Sequence, residues 1–295
     1  MTFDAAVIGT GPAGLSAAIN LKQHNKSVLW LGSDQMSARV EKSEKIRNYP
    51  GFTEITGPDL NRRLRAHAES LGLSVTDRMV TNVMPSEDAF LLLAQNELYT
   101  ARTLLLAAGA AAAKGFPGEK ELLGRGVSYC ATCDGFLYRG KAIAVYCADR
   151  RYEHEAADLA GFAETVYLYT PYRDCAVDLP NVKRLPRPIR RVLGDKRVTG
   201  IELSDGSTID ADGLFCLRDS VAPDTLLPGL TLDGPHVAVN RRMETNLPGC
   251  FAAGDCTGRP YQIAKAVGEG NVAAHSMLEY LAGMSAAGEP ARTGR

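Results

Sequence analysis

Cys130-Ala-Thr-Cys133-Asp134 is the stretch whose residue types and spacing most directly suggest chemistry. Two residues between cysteines allow a small, reducible disulfide ring. One thiolate of such a ring must reach an outside disulfide while the other recloses it. Asp134, immediately after, could carry the proton between thiol and leaving group. The competing use of C-x-x-C is half of a zinc site, which needs two further ligands. No second C-x-x-C or Cys/His pair exists, so no metal is expected. Cys147, Cys175, Cys216, Cys250 and Cys256 are isolated and read as buried thiols.

A second constellation opens the chain. Phe3-Asp-Ala-Ala-Val-Ile8 reads as a buried strand, and Gly9-Thr-Gly11-Pro12-Ala13-Gly14 fits G-x-G-x-x-G between that strand and a helix. Gly9 permits the turn, Gly11 lets a pyrophosphate approach the backbone, and Gly14 lets helix and strand pack closely. The helix N-terminus then offers N–H donors and partial positive charge to the phosphates. The next strand ends Trp30-Leu31-Gly32 with no acid in register for a ribose hydroxyl, leaving Gly32 and Ser33, or Asp34, at that position. Thr103–Ala107 reads as a strand ending in Ala108-Gly109. Near the other terminus, Thr245-Asn-Leu-Pro-Gly-Cys-Phe-Ala-Ala-Gly254-Asp255 puts a carboxylate just past a buried strand, where it could accept a hydrogen bond from a ribityl hydroxyl. The bland reading of that Asp is a helix cap. Two distant pieces serving one site imply a cofactor domain split by an insertion.

The elements that must hold these groups follow from periodicity and turn chemistry. A helix runs to about His24 with Pro12 at its start, where a missing N–H costs nothing. Ser27–Leu31 is the next strand. Leu60, Leu64, Ala68 and Leu71 recur at helical spacing, predicting a helix near 58–71. The Gly/Pro-rich Lys114–Gly118 marks a domain crossing. Ala142–Val145, a helix near 153–162 and Thr165–Leu168 start a second β-α-β pattern. Strands are expected near 189–193, 198–203, 214–217 and 250–252, a long helix over roughly 262–281, and a frayed tail over 282–295. The fold class is therefore α/β, with two Rossmann-like dinucleotide-binding domains and the central one inserted in the other. Residues 1–116 plus 245–295 form the cofactor domain, and 117–244 the central one.

The chain's 295 residues suit two domains, and 45% hydrophobic with 23% charged residues is a globular profile. Lys+Arg 33 against Asp+Glu 34 leaves a net charge of −1, which gives no reason to invoke nucleic acid or membrane. No apolar run approaches a membrane span and no basic-then-apolar leader is evident, so a cytoplasmic protein is expected. Seven cysteines without regular spacing argue against a secreted disulfide scaffold.

Taken together, the glycine turn, Asn48-Tyr-Pro-Gly51, Cys130-Ala-Thr-Cys-Asp134 and Ala253-Gly-Asp255 resemble the low-molecular-weight thioredoxin reductase family, in order and near-family spacing over nearly the whole chain. The resemblance implies one tight FAD, a homodimer and thioredoxin or a similar disulfide protein as substrate. By the same likeness Cys133 is the flavin-proximal thiol, Cys130 attacks thioredoxin, and Asp134 is the acid/base. Asn48, Gly254, Asp255, Gln262 and Ile263 line the flavin.

One region departs from the family. Its central domain normally carries a second glycine fingerprint for NADPH. Here the matching stretch is Ala144-Val-Tyr-Cys147-Ala-Asp149-Arg-Arg-Tyr152, with side chains at all three small-residue positions. The family's His-Arg-Arg grip on the 2′-phosphate is replaced by Thr170-Pro171-Tyr172. NADPH use is therefore not expected. The departure resembles the pyridine-nucleotide-independent branch, in which reduced ferredoxin or another low-potential donor supplies electrons. A related branch holds a second flavin, for which Tyr146, Tyr152, Tyr169 and Tyr172 offer ring surfaces. Arg150, Arg151, Arg187, Arg190 and Arg191 are candidate contacts for an acidic donor. Alternative readings are a flavin thiol oxidase, forming disulfides with oxygen as acceptor, and a flavin-binding redox sensor.

Overall fold

The computed structural model describes residues 1–95, 97–109, 115–218 and 222–288, the side chains of Cys133 and 285–288 excepted. Lys114, the Cys133 thiol and residues 289–295, all named above, lie outside the described residues. The chain forms two compact units, Met1–Ala111 with Pro223–Arg295, and Ala112–Ala222.

In chain order the first unit begins with β1 (Thr2–Ile8), α1 (Pro12–Gln23), β2 (Val28–Gly32), α2 (Ala38–Glu41), α3 (Gly57–Ser70), β3 (Thr76–Asp77), β4 (Val80–Pro85), β5 (Phe90–Ala94) and β6 (Glu97–Leu106). The second unit holds β7 (Val127–Ser128), α4 (Ala131–Asp134), β8 (Ala142–Cys147), α5 (Glu153–Ala160), β9 (Thr165–Tyr169), β10 (Val182–Arg184), β11 (Ile189–Leu193), β12 (Gly200–Leu203), β13 (Thr208–Asp210) and β14 (Gly213–Leu217). The chain then returns through α6 (Pro223–Leu226), β15 (Leu232–Asp233), β16 (His236–Val237), β17 (Cys250–Ala252) and α7 (Ile263–Gly288).

The first unit is built on a seven-stranded sheet in the order β3-β2-β1-β6-β5-β4, with β17 also paired to β6. β1 pairs in parallel with both β2 and β6. Ala5, Ala6 and Val7 are fully buried because both sheet faces are covered, which is why Ala5–Ile8 reads as an unbroken apolar run. Besides β1, β6 has two partners in succession along its other edge: its first half pairs antiparallel with β5, and Leu104–Leu106 pair in parallel with β17. α1 and α7 pack on this sheet through small residues. A Cβ on Gly270 would lie 2.1 Å from the Ala13 carbonyl oxygen, so only glycine admits that approach.

The second unit repeats the parallel theme with the sheet β10-β9-β8-β14-β7, plus an antiparallel sheet β11-β12-β13. The α/β class with two dinucleotide-type units is thus the one read from the sequence. Three boundaries differ, the first crossing lying at 111/112 rather than 116/117. The return crossing lies at 223 rather than 245. Residues 223–244 stay with the first unit because α6 packs on β4 and Asn246 is hydrogen-bonded to Thr231 N–H and the Gly229 carbonyl, both at 2.8 Å. The tail expected to fray from Ala282 continues as helix to Gly288. Ala282 and Met284 are strong helix formers, which favours continuation of α7.

Candidate active site

The turn after β1 is built by backbone exclusion. Gly9 has φ +117°, and a Cβ there would meet the Ala107 carbonyl oxygen at 2.2 Å. A Cβ on Gly14 would lie 2.0 Å from the Gly9 carbonyl oxygen. Gly11 is different: a Cβ on it meets nothing within 4 Å, so the space above it is open. Gly11 is the N-cap of α1, Pro12 begins the helix, no side chain caps it, and its first turn has no acid. Open space, free N–H donors and the absence of a carboxylate fit a pyrophosphate. Gly32, at φ +145°, ends β2 against Thr10, where a Cβ would be 3.1 Å from the Thr10 methyl. Ser33 Oγ is turned to the Gln35 N–H at 3.2 Å. Ala108 and Gly109 follow β6 and are half-buried. Trp30, 1% exposed, donates its indole N–H to the Gly9 carbonyl at 3.0 Å and so pins the turn. That contact was not legible in the sequence, since nothing in a β-strand tryptophan says which carbonyl it will meet.

The chain's C-terminal part closes on the same turn. Gly254, at φ +89°, lies so near α1 that a Cβ on it would be 2.9 Å from the Ala13 Cβ. Its N–H donates to Glu269 at 2.8 Å, and Lys265 Nζ donates to the Gly254 and Gly258 carbonyls, each at 2.8 Å. Lys265 and Glu269, one turn apart on α7 and bridged at 3.1 Å, thus clamp the loop that carries Asp255. Their i,i+4 spacing was readable; their target was not. Burial pushes the Asp255 carboxyl above its usual range, against the nearby Arg39 and Lys265 charges. Arg39 meets it at 3.1 Å. Asn48 Nδ2 donates to Gln262 Oε1 at 2.6 Å, beside Ile263 at the start of α7. Residues read from opposite ends of the sequence therefore come together: Gly9–Gly14 with Gly254, and Asn48 with Gln262. Together they could hold the pyrophosphate, ribityl and ring portions of an FAD.

In the second unit, Cys130 is disulfide-bonded, while Cys147, Cys175, Cys216, Cys250 and Cys256 are free. Cys130 is 8% exposed, with its Sγ 3.4 Å from Thr132 Oγ1. α4 spans the motif, and Asp134 N–H donates to the Cys130 carbonyl at 3.3 Å. The Asp134 side chain does not cap the 3-10 turn it precedes, and it is half-buried. Phe136 and Leu137, in that turn, are each 54% exposed.

The stretch at the end of β8 shows what replaced the second fingerprint. Cys147 is fully buried, and burial pushes its thiol up to about 11. Its Sγ lies 3.3 Å from the Tyr172 hydroxyl, which donates to Glu153 Oε1 at 3.1 Å. The other Glu153 oxygen accepts the Ala176 N–H at 3.0 Å. Burial works against the Glu153 charge, but hydrogen bonds from Ala176, Tyr172 and Cys175 hold its carboxyl below the usual range. Asp149 accepts the Arg151 N–H at 3.2 Å and the Arg151 Nε–H at 3.3 Å. Glu153 is the first residue of α5. Tyr152, the N-cap of α5, packs against the core of this unit. The Tyr146 and Tyr169 rings stack, with centroids 6.2 Å apart. Of the arginines considered for a donor, Arg190 and Arg191 both pair with Glu202, Arg151 with Asp149 and Arg187 with Asp205. Among the described residues no group of His, Cys, Asp or Glu is placed to hold a metal ion, and no helix is long and apolar enough to cross a membrane.

Comparison with known proteins agrees with this geometry. The pattern of the pyridine nucleotide-disulphide oxidoreductase family matches residues 3–148 and 184–270. A thioredoxin reductase from Bacillus subtilis is 32% identical, covering 95% of both chains. The crystal structure of a ferredoxin-flavin thioredoxin reductase from Clostridium acetobutylicum is 38% identical with a TM-score of 0.92, covering 97% of this chain and 99% of that one. A thioredoxin reductase structure from Gloeobacter violaceus is 29% identical with a TM-score of 0.79, covering 100% of this chain and 98% of that one. With matches spanning the glycine turn, the Cys-x-x-Cys motif and the Gly-Asp segment, the chain belongs to the pyridine nucleotide-disulphide oxidoreductase family, as a flavoprotein oxidoreductase of the low-molecular-weight thioredoxin reductase type.

Proposed function

We propose that this protein reduces thioredoxin or a similar disulfide protein through Cys130 and Cys133, using one FAD held at Gly9–Gly14, Asn48, Gly254, Asp255, Gln262 and Ile263. The electrons come from ferredoxin or another low-potential protein rather than from NADPH. When bound, the flavin supplies a two-electron carrier. The chain's own residues do the rest. Two electrons and two protons break the Cys130–Cys133 bond and leave two thiols. The Cys130 thiolate attacks the partner's disulfide, forming a mixed disulfide, and Asp134 supplies the proton to the leaving sulfur. Cys133 then displaces the partner as a dithiol and restores the ring. Phe136 and Leu137, exposed beside the motif, offer apolar contact to a protein substrate. The family resemblance supports a homodimer in the cytoplasm.

One observation carries the donor assignment. At the β8–α5 turn, where the family's second glycine fingerprint would lie, Cys147 Sγ meets the Tyr172 hydroxyl, which donates to Glu153, the first residue of α5, whose carboxyl is held below its usual range. An anion there meets like charge and no glycine gap. The likeness to a ferredoxin-flavin enzyme points the same way. The test is anaerobic mixing of oxidised enzyme with NADPH, NADH or reduced ferredoxin while the flavin absorbance is followed. Prompt bleaching by ferredoxin alone is the expected result. Rapid bleaching at micromolar NADPH would refute the assignment.

A further inference from the structure

The redox motif carries a hydroxyl between its two cysteines. Thr132 Oγ1 lies 3.4 Å from Cys130 Sγ, within hydrogen-bond reach of a sulfur. A thiolate or disulfide sulfur can only accept, so in both states Thr132 is the donor. The contact is set by the main chain on either side of Cys130. Ahead of it, Ser128 Oγ accepts the Cys130 N–H at 3.1 Å and donates to the Cys130 carbonyl at 3.3 Å. Tyr129 donates its hydroxyl to the buried Glu119 carboxylate at 2.6 Å. Arg218, 5.3 Å over the Tyr129 ring, donates to the same oxygen. Behind Cys130, α4 lies against α5, and Ala131 shares a buried cluster with Ala156, Leu159 and Ala160. A Cβ on Gly135 would come within 3.1 Å of Leu159 Cδ2 and of Phe162 Cδ2, so the turn after α4 is pressed onto the end of α5. The loop from Ser128 to Gly135 therefore cannot shift the hydroxyl off the sulfur without opening buried contacts. All these groups lie in the second unit.

We propose that Thr132 is a catalytic residue of the disulfide exchange: its hydroxyl holds the negative charge that Cys130 carries, first as leaving group and then as nucleophile. Ring opening adds two electrons to the Cys130–Cys133 bond and leaves an electron pair on each sulfur. The pair on Cys130 meets the Thr132 O–H. In the attack on a substrate disulfide that pair forms the new S–S bond, and the substrate's leaving sulfur takes a pair of its own. A hydrogen bond to the charged form favours the thiolate over the thiol. Thr132 thus differs from Asp134: a threonine hydroxyl does not ionise at neutral pH, so it stabilises charge where the carboxylate moves a proton. On α4 and the turn after it the titratable neighbours are Cys133, Asp134 and Tyr138. On α5 they are Glu153, His154, Glu155 and Asp158. On the side of β7 they are the buried Tyr129, Glu119, Arg218 and Cys216. A change confined to the Thr132 hydroxyl deletes none of these charges.

This inference rests on Cys130 being the attacking thiol of the proposed reaction. The test uses the full-length, FAD-loaded enzyme, reduced anaerobically with tris(2-carboxyethyl)phosphine and freed of reductant. Iodoacetamide alkylation at Cys130 is timed from about pH 5 to 10, which brackets an ordinary thiol, with Cys130 and Cys133 told apart by fragment mass. Thr132→Val keeps the shape and removes the hydroxyl; Thr132→Ser keeps the hydroxyl. Thr132→Val should raise the alkylation midpoint by about 0.5–1 pH unit, the size of one net hydrogen bond. A thiol of higher pKa is less ionised but more nucleophilic once ionised. At about pH 7 the variant should therefore react about two- to fourfold more slowly than wild type, and at the alkaline end faster, so that the two profiles cross. Thr132→Ser should follow the wild type. If Thr132→Val leaves the midpoint in place, or scales the whole profile without a crossing, the hydroxyl holds no charge on Cys130 and the inference is overturned. A midpoint moved as far by Thr132→Ser as by Thr132→Val overturns it too. If Cys130 is alkylated no faster in reduced than in oxidised wild-type enzyme, the proposed redox pair itself falls.

Discussion

A Cβ at Gly14 would lie 2.0 Å from a carbonyl oxygen, whereas one at Gly11 would meet nothing. Residues that look alike in one motif are therefore kept for different reasons, and their substitutions should fail differently. Gly14→Ala should destabilise the protein by about 2–3 kcal/mol, since overpacking against backbone has no flexible side chain to yield. Gly11→Val should leave the apoprotein's melting temperature near wild type and abolish tight FAD binding. Thermal melts of apoprotein with FAD titration separate the two; a Gly11→Val protein that stays yellow would remove the pyrophosphate from this turn. The three glycines were legible because their spacing follows from strand–turn–helix geometry alone. Trp30, Lys265 and Glu269, which hold the turn and the Asp255 loop, were not, because their partners are set by tertiary contact rather than spacing. Lys265→Met should release the Gly254 and Gly258 carbonyls, weakening FAD retention about tenfold, an effect of the size of a lost charge-assisted hydrogen bond. Equilibrium dialysis measures it.

The two helices that follow first strands carry opposite electrostatics. α1 starts uncapped with no acid in its first turn, while α5 starts with Glu153 and Glu155. The sequence located both helices closely, and the loss of small residues at Cys147, Asp149 and Tyr152 marked the second turn as altered. It did not single out a further carboxylate at the start of α5, Glu153. Asp149 turns to Arg151, and Glu153, bonded to Tyr172, holds the charge at the turn. Restoring glycines at 147 and 149, alanine at 152 and His-Arg-Arg at 170–172 should therefore remain inert toward NADPH while Glu153 stays. Adding Glu153→Val should give weak NADPH-dependent flavin reduction. If the set without the Glu153 change already reacts, the carboxylate is not the barrier.

At the scale of the molecule, the flavin-type unit cannot be completed from one end. β17 pairs with the second half of β6, and Gly254 and Gly270 approach α1 within backbone distance. A chain truncated after residue 244 lacks β17, Asp255 and α7, and should neither hold FAD nor melt cooperatively; cooperative melting of that fragment would contradict the closure described. Both units carry buried thiols, Cys147 in the second and Cys250 and Cys256 in the first. Burial pushes Cys147 up to about 11 and both Cys250 and Cys256 up to about 12, from an ordinary value of 9.0. A folded-state value above the unfolded one means the folded form holds the proton more tightly. The associated stability is complete below about pH 9 and is lost as pH rises toward 11 and 12. Urea midpoints should fall over that window, and Cys147→Ala should make the fall shallower.

The hydrogen bond from Trp30 to the Gly9 carbonyl has an optical consequence. Trp30 is the chain's single tryptophan, so the protein's indole emission comes from one site, one hydrogen bond away from the glycine turn. A ring buried to 1% exposure emits at short wavelength, and a flavin nearby accepts its excitation. Ultraviolet emission should therefore be strongly quenched in the yellow protein and recover as the cofactor is stripped, giving a label-free titration of cofactor occupancy. Displacement of the Gly9 turn would be visible as a red shift before any loss of secondary structure.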